Sequence, residues 1–293
     1  MKPAPLEYKR ARDLDHALEL LAEYAEGAKP VAGGQSLIPL LNLRLARPVL
    51  LIDINDLSLD QVQVDGESLL TGALVRHRVV ATDPEIRGTN GLLQEAARFI
   101  GHTAIRNRGT LGGSVAHADP AAEMPLVAVA CDATMLLQSS SGAREVAAAD
   151  YFVGPFMTSM EPDELLVGVR WPVLGANTSW GFSEIAERSG DFATAAAAVV
   201  LRGGADPLSA RVAVTGVSGS PTRLDEVETA LDSRDLDTAR LWGAETMRDA
   251  VRGARVGLDS GEDQAPNRYV RHLVEEMVVR ASLQALRSMR CVE

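Results

Sequence analysis

Two glycine pairs flanked by hydroxyl residues carry the clearest chemical signal in this sequence. The first lies in Val31-Ala32-Gly33-Gly34-Gln35-Ser36-Leu37, between a short apolar run and a helix-like segment. Paired glycines let a backbone pass close to a bulky anion and adopt positive φ, and the N–H groups at the helix start add donors and a favourable dipole. Ser36 could cap that helix or donate its hydroxyl to a phosphate. One such pair is as well explained by a tight strand-to-helix turn. The second pair lies in Arg106-Asn107-Arg108-Gly109-Thr110-Leu111-Gly112-Gly113-Ser114-Val115, with a hydroxyl on each side and two guanidinium groups upstream. Two cradles can grip one diphosphate from both sides, and neither contains the Rossmann pattern Gly-x-Gly-x-x-Gly. Valine at Gly33 or Gly113 is expected to clash with that diphosphate and to resist positive φ.

A third cluster is His117-Ala118-Asp119-Pro120-Ala121-Ala122-Glu123. Asp119-Pro120 reads as an N-cap and first helical residue, which explains it better than a metal site does. At a helix start facing a cofactor, Asp119 or Glu123 could accept hydrogen bonds from ribose hydroxyls or from the N–H of a cofactor ring. The fourth, Gly181 to Ala193, has a Ser189-Gly190-Asp191 core that by itself is a turn. His16, His77, His102 and His272 are scattered, and no nucleophile elbow, His-Glu-x-x-His or Walker A pattern occurs. No catalytic acid, base or metal ligand is therefore assigned.

Several elements must position these groups. Leu14, Ala17, Leu18, Leu21 and Ala25 have helical spacing, with Asp13 as N-cap and Gly27 as stop. Lys29 to Ala32 and Val49 to Ile54 read as strands around a helix from Ser36 to about Leu45. Gln61 to Val64 and Ser68 to Leu74 read as a hairpin about Asp65-Gly66. Leu92 to Ile100 is helical, an Ala-rich helix ends near Ala130, and Met135 to Gln138 and Leu165 to Trp171 are strands. The stretch Pro172 to Ser179 divides a domain over 1–175, with subdomains of about 1–55 and 56–175, from one over 176–293. In the latter, Ala195 to Arg202 and Ala210 to Val217 are strands, and Arg223 to Leu231, Thr238 to Val251 and Tyr269 to Met289 are helices.

Composition narrows the function. The 293 residues carry a formal net charge of −11, which argues against a nucleic-acid backbone or anionic membrane as the main partner. No apolar run approaches the roughly 18 residues of a membrane span, and no signal segment is seen. The two cysteines, Cys131 and Cys291, suit a reducing cytoplasm. They are too few for an iron–sulfur cluster, which takes about four thiolates.

Together these motifs resemble the FAD-binding medium subunit of the xanthine dehydrogenase and carbon monoxide dehydrogenase family, the molybdenum hydroxylases. The resemblance rests on Ala32 to Pro39 followed by Arg44 to Pro48, and on Thr110 to Ser114 through Asp119 to Glu123. Glu164-Leu165-Leu166 before Trp171-Pro172, Gly190 to Ala193, and Pro221-Thr222-Arg223 follow in order. It implies an α+β fold: a two-subdomain FAD domain of the vanillyl-alcohol-oxidase-like type, and a smaller α+β carboxyl-terminal domain. It places Ala32, Gly33, Gly34, Gln35, Ser36 and Leu37, with Thr110, Leu111, Gly112, Gly113 and Ser114, around the FAD diphosphate. Ile100, Asp119, Glu123 and Leu166 are implied near the cofactor, and Phe192 near the isoalloxazine.

The implied partners are a small subunit with two [2Fe–2S] clusters and a large molybdenum–pterin subunit, in a dimer of heterotrimers serving an external electron acceptor. Many relatives carry Lys-x-Lys where this chain has Glu184-Ile185-Ala186-Glu187, and His where it has Gln35. The rival readings are a stand-alone FAD oxidase or reductase of the same fold, and a flavin-free scaffold.

Overall fold

The computed structural model describes residues 2–203, 208–232, 243–253 and 268–289. Helix α1 (Leu14–Tyr24) starts at Asp13, whose carboxylate accepts the His16 N–H at 2.8 Å. Its apolar stripe covers a parallel sheet in the order β1 (Glu7–Arg10), β3 (Leu50–Asp53), β2 (Ala28–Val31). Strand β1 has no sequence signal of its own. It is exposed along most of its length and is held by pairing with the fully buried β3. The short helix α2 (Leu37–Asn42) leads from β2 back to β3 and stops before the expected Leu45. Arg44 at φ +58 breaks it.

An antiparallel sheet follows. Its hairpin β4 (Val62–Asp65) and β5 (Ser68–Gly72) turns at Gly66, φ +58, and is joined by β6 (Thr134–Ser139), β7 (Gly142–Ala147) and β10 (Leu165–Pro172) in the order β4-β5-β10-β6-β7. Strand β7 was not expected, because all its residues but Val146 are exposed and Gly142, Ala143 and Ala147 carry no strand signal. Short helices α3 (His77–Val80), α4 (Pro84–Thr89), α5 (Gly91–Ala97), α6 (Thr103–Arg106) and α7 (Leu111–His117) cross between the hairpin and α8 (Glu123–Ala130). Every residue of α8 is buried. The expected start of this helix at Asp119-Pro120 is incorrect. Asp119 instead caps a turn, its Oδ1 accepting the Ala121 N–H at 2.9 Å, and the helix begins three residues past Pro120 with Ala122 as N-cap. After α8 come α9 (Ala148–Tyr151) and a small hairpin, β8 (Phe152–Gly154) with β9 (Met157–Thr158).

The carboxyl-terminal part is a four-stranded antiparallel sheet: β11 (Thr178–Ile185), β12 (Ala195–Arg202), β13 (Ser209–Thr215), β14 (Thr222–Arg223). Strand β11 extends where only a turn had been read. The turn itself lies after it, at Gly190 with φ +87. Along β12 the side chains alternate between two cores. Ala196, Ala198 and Val200 join the cluster around α8, while Ala195, Ala197, Val199 and Leu201 join a second cluster. That second cluster is closed by α10 (Asp225–Asp232), α11 (Ala244–Gly253) and α12 (Arg268–Ser288). The expected helix from Thr238 is described only from Ala244, and Cys291 lies outside the described residues.

Polar links tie the two parts together. Asp132 pairs with Arg211 and, at 3.0 Å, with Arg223, which also grips Glu228. Phe99 packs on Phe182 with ring centroids 5.0 Å apart.

Strand β11 lies hard against α12. A Cβ at Gly181 would overlap the Ala281 carbonyl oxygen. Gly181→Ala should therefore cost about 1–3 kcal/mol of stability by overpacking, read as a lowered urea midpoint. An unchanged midpoint would refute this close approach.

Candidate functional site

The first glycine segment is held open by a polar network that starts on the parallel sheet. Asn55 Nδ2 donates to the Ala32 carbonyl at 2.9 Å and to Asp53 Oδ1 at 2.7 Å. Arg76 Nη2 donates to Asn55 Oδ1 at 2.7 Å, and its other nitrogen reaches the Arg108 carbonyl. Tyr8 adds its hydroxyl to Asp53. This network joins the two glycine segments from beneath. They also touch directly, because a Cβ on Gly33 would overlap the Arg108 carbonyl and lie 2.7 Å from Gly109 Cα.

The two segments prove unequal as anion cradles. In the first, Gly34 takes φ +70, and the N–H groups of Gly34, Gln35 and Ser36 find no acceptor among the described residues. Ser36 does not cap α2 with its side chain, so its hydroxyl stays free of the helix. Gln35 folds back on the Gly33 carbonyl at 3.1 Å.

In the second, the expected open loop is the first turn of α7, and its donors are spent. Leu111 and Gly112 N–H donate to the Val75 and Ala73 carbonyls at 2.8 and 3.0 Å, and Gly113 N–H donates to the Thr110 hydroxyl at 3.1 Å. Positive φ is absent from both Gly33 and Gly113. Their role is proximity, which corrects the expectation of backbone strain. Gly112 lies against Ala73, and Gly113 presents a surface without a side chain. Arg106 is not an anion ligand either. It donates to the carbonyls of Arg98, Ile100 and Gly101, at 3.3, 2.9 and 2.7 Å, and so holds that loop in place.

These segments border a cleft of about 950 Å³. Ala32, Gly33, Gly34, Gln35, Ser36 and Leu37 line one side; Thr110, Gly112, Gly113 and Ser114 line the other. Ile100, Asp119, Glu123, Leu166 and Phe192 line it as well. Leu111 does not, because its side chain is fully buried in the core beneath α7. The cleft is large enough for an extended dinucleotide-sized ligand, with polar backbone in the middle and apolar walls beyond. Phe156, exposed at one edge, packs at a tilt against His117, 5.1 Å between centroids.

Of the titratable groups in the cleft, His77 and Glu123 shift furthest. His77 is buried against Gly109, with Nδ1 lacking a partner. Burial, then Arg106 and Arg76, push its pKa down to about 4, so it stays neutral. Burial, reinforced by Glu184 and Asp119, pushes the Glu123 carboxyl up to about 8. A neutral acid can donate through its O–H, which changes the expected acceptor role of Glu123. Glu184 is raised by burial to about 7. Asn55, Arg76 and the burial of His77 escaped sequence reasoning, since no periodicity or motif marks them. Among the described residues no three or more His, Cys, Asp or Glu side chains cluster to hold a metal.

The fold and cleft define a flavoprotein-type binding domain with an appended α+β domain. Two family models match the chain: "FAD binding domain in molybdopterin dehydrogenase" over residues 4–174, and "CO dehydrogenase flavoprotein C-terminal domain" over 180–285. The chain belongs to this family of FAD-binding subunits of molybdopterin dehydrogenases. It is 38% identical to the caffeine dehydrogenase subunit beta of Pseudomonas sp. (strain CBB1), over 90% of this chain and 88% of that one. It is also 38% identical to the 6-hydroxypseudooxynicotine dehydrogenase complex subunit alpha of Paenarthrobacter nicotinovorans, over 96% of each. A solved carbon monoxide dehydrogenase chain from Hydrogenophaga pseudoflava superposes with TM-score 0.90 at 32% identity, covering 99% of this chain and 100% of that one. The resemblance drawn from the two glycine segments is thus borne out.

Two outcomes follow from this geometry. Gly33→Ala forces the segments apart at Arg108 and should cost about 1–3 kcal/mol of stability together with FAD content per chain. Full flavin content in a stable Gly33→Ala protein would contradict the contact. For Glu123, the folded carboxyl at about 8 lies above its ordinary 4.5, so the native state holds the extra proton. That contribution is complete below about 4.5 and is lost as pH rises through about 8. Glu123→Gln should flatten the decline in urea midpoint across this window, and an equally steep decline in the variant would refute the assignment.

Proposed function

We propose that the cleft holds FAD with its diphosphate between Ala32–Ser36 and Thr110–Ser114, and its isoalloxazine toward Ile100, Leu166 and Phe192. The observation that carries this reading is the pairing of free N–H groups at Gly34, Gln35 and Ser36 with the side-chain-free surface of Gly113 across one cleft. Donors on one face and close approach on the other suit a diphosphate. Leu37 lines the same side, and Asp119 is placed to accept from a sugar hydroxyl. Bound FAD supplies two-electron storage, and the chain's own residues bind, orient and tune it. The FAD domain, about 1–175 with subdomains of about 1–55 and 56–175, follows the vanillyl-alcohol-oxidase-like arrangement. Residues 176–293 form the carboxyl-terminal domain.

In this reading the chain is an electron relay. A small subunit with two [2Fe–2S] clusters delivers electrons, a large molybdenum–pterin subunit hydroxylates the substrate, and an external acceptor removes the electrons. Two cysteines in the whole chain leave cluster chemistry to a partner. The complex is a dimer of heterotrimers in the cytoplasm, joined through contacts that bury upwards of roughly 2,000 Å². No helix among the described residues is long and apolar enough to cross a membrane.

The purified chain should show flavin absorbance at one FAD per chain, bleach with dithionite, and contain neither iron nor molybdenum. It should hydroxylate nothing alone and should form one stable complex when co-expressed with its two partners. A colourless chain favours the scaffold reading, whereas substrate-dependent bleaching without partners favours a stand-alone oxidase. Stoichiometric metal would also overturn the relay.

A further inference from the structure

Beside the second glycine segment the cleft wall carries a buried imidazole. His77 is the first residue of α3 and lines the cleft. The connection from β5 crosses the second segment at this point. Arg76 bridges to Thr110 there, and the His77 N–H donates to the Gly109 carbonyl at 3.0 Å. The ring lies against Gly109, where a Cβ would stand 2.8 Å from its Cδ2 and 3.4 Å from its Nε2. Gly109 is also the residue that the first segment approaches, since a Cβ on Gly33 would lie 2.7 Å from Gly109 Cα. The imidazole therefore sits where the two segments meet, in room left by a missing side chain.

The two ring nitrogens have different surroundings. Nδ1 is sealed from solvent without a hydrogen-bond partner, whereas Nε2 is not sealed, and the cleft is the open space beside the ring. His77 is 4% exposed, and burial, with Arg106 and Arg76 nearby, keeps the ring neutral with a single N–H. A hydrogen on Nδ1 would be a buried donor that has lost its hydration and gained no acceptor. A bare lone pair in the same place costs less. The hydrogen accordingly belongs on Nε2, where it is a donor toward the cleft.

A donor here meets a need of the site. The free N–H groups of Gly34, Gln35 and Ser36 face a side whose backbone donors are spent at Leu111, Gly112 and Gly113. Arg76 is taken up by Asn55 and the Arg108 carbonyl, and Arg106 by the carbonyls of its own loop. We propose that His77 is a further binding residue for the diphosphate, donating its Nε2–H to an anionic oxygen from the second side of the cleft. The inference rests on the FAD reading above. The neutral ring gives a directional hydrogen bond, and the two guanidinium groups beside it add a positive field that favours an anion.

The test titrates the full chain, stripped of flavin, with FAD and follows the flavin fluorescence. His77→Leu keeps an apolar body of similar size and removes the donor, while His77→Gln returns an N–H close to the Nε2 position. The Kd for FAD should rise about 10–100-fold in His77→Leu and return to within about threefold of wild type in His77→Gln. Equal affinity in His77→Leu and wild type, or a loss that glutamine does not recover, would overturn the inference. Nitrogen magnetic resonance of the wild-type histidines adds a measurement that needs no variant to fold, with His77 recognised by its contact with Gly109. Its Nδ1 should resonate as a bare nitrogen and its Nε2 as an N–H that shifts and couples to phosphorus when FAD is added. An Nδ1–H form, or an Nε2 signal that stays in place as FAD binds, overturns the inference alone. A wild-type chain that takes up no FAD strikes the cofactor reading instead. Inorganic pyrophosphate then decides the role of His77, whose Nε2 signal should still shift on its addition and whose failure to shift overturns it.

Discussion

Everything at the cleft depends on the contact between Gly33 and the backbone of Arg108 and Gly109. Two chain segments about 75 positions apart meet there at a distance that excludes any side chain. The contact cannot be held by packing alone, since little apolar surface is available at a glycine. Hydrogen bonds supply the rest. Asp53 anchors Asn55, Asn55 holds the Ala32 carbonyl, and Arg76 spans from Asn55 to the Arg108 carbonyl. Burial, together with Arg108 and Arg78, lowers the pKa of Arg76 from its ordinary value, yet a guanidinium stays charged at any working pH. The Arg76 link between the two glycine segments is therefore insensitive to pH.

The second organising feature is α8, a helix with no solvent face. It packs against α5 on one side and against the carboxyl-terminal sheet on another, so the two halves of the chain share one core. A helix buried all round keeps its first turn rigid. Its first residue, Glu123, is thereby fixed at the cleft wall with its carboxyl shielded from water. The same burial that stabilises the domain contact sets the protonation state of the one acid on this helix. Packing and chemistry at this wall cannot be varied independently.

The donors of the two glycine segments follow a similar logic. The second segment crosses directly over the end of β5 and the connection to α3, and its N–H groups are consumed there as structural bonds. The first segment ends a strand and opens a helix, and the N–H groups leading into a helix have no intrahelical acceptor, which leaves them for a ligand. Similar sequences thus divide the work: one supplies hydrogen bonds, the other supplies space.

The sequence by itself determined the elements whose signal is local. Helix α1 with its Asp13 cap, the hairpin about Gly66, β10, β12 and the long α12 lie within a few residues of where spacing and turn chemistry place them. It also determined the family, because glycine pairs with flanking hydroxyls at fixed separation are short-range patterns. Tertiary structure decided what no local pattern encodes. Strands β1 and β7 are mostly exposed, and exist through their neighbours' unpaired backbone groups. The start of α8 moved from Asp119 to Glu123 because Asp119 found a nearer N–H in a turn. Leu111, inside a binding motif, went to the core with Val115, since helical geometry turns both away from the face that carries Gly113, Ala116 and His117. The neutrality of His77, the proton on Glu123 and the clamp through Arg76 all come from groups brought together from distant parts of the chain. Desolvation and hydrogen-bond partnership are properties of that assembled neighbourhood, and residue types in a row do not carry them.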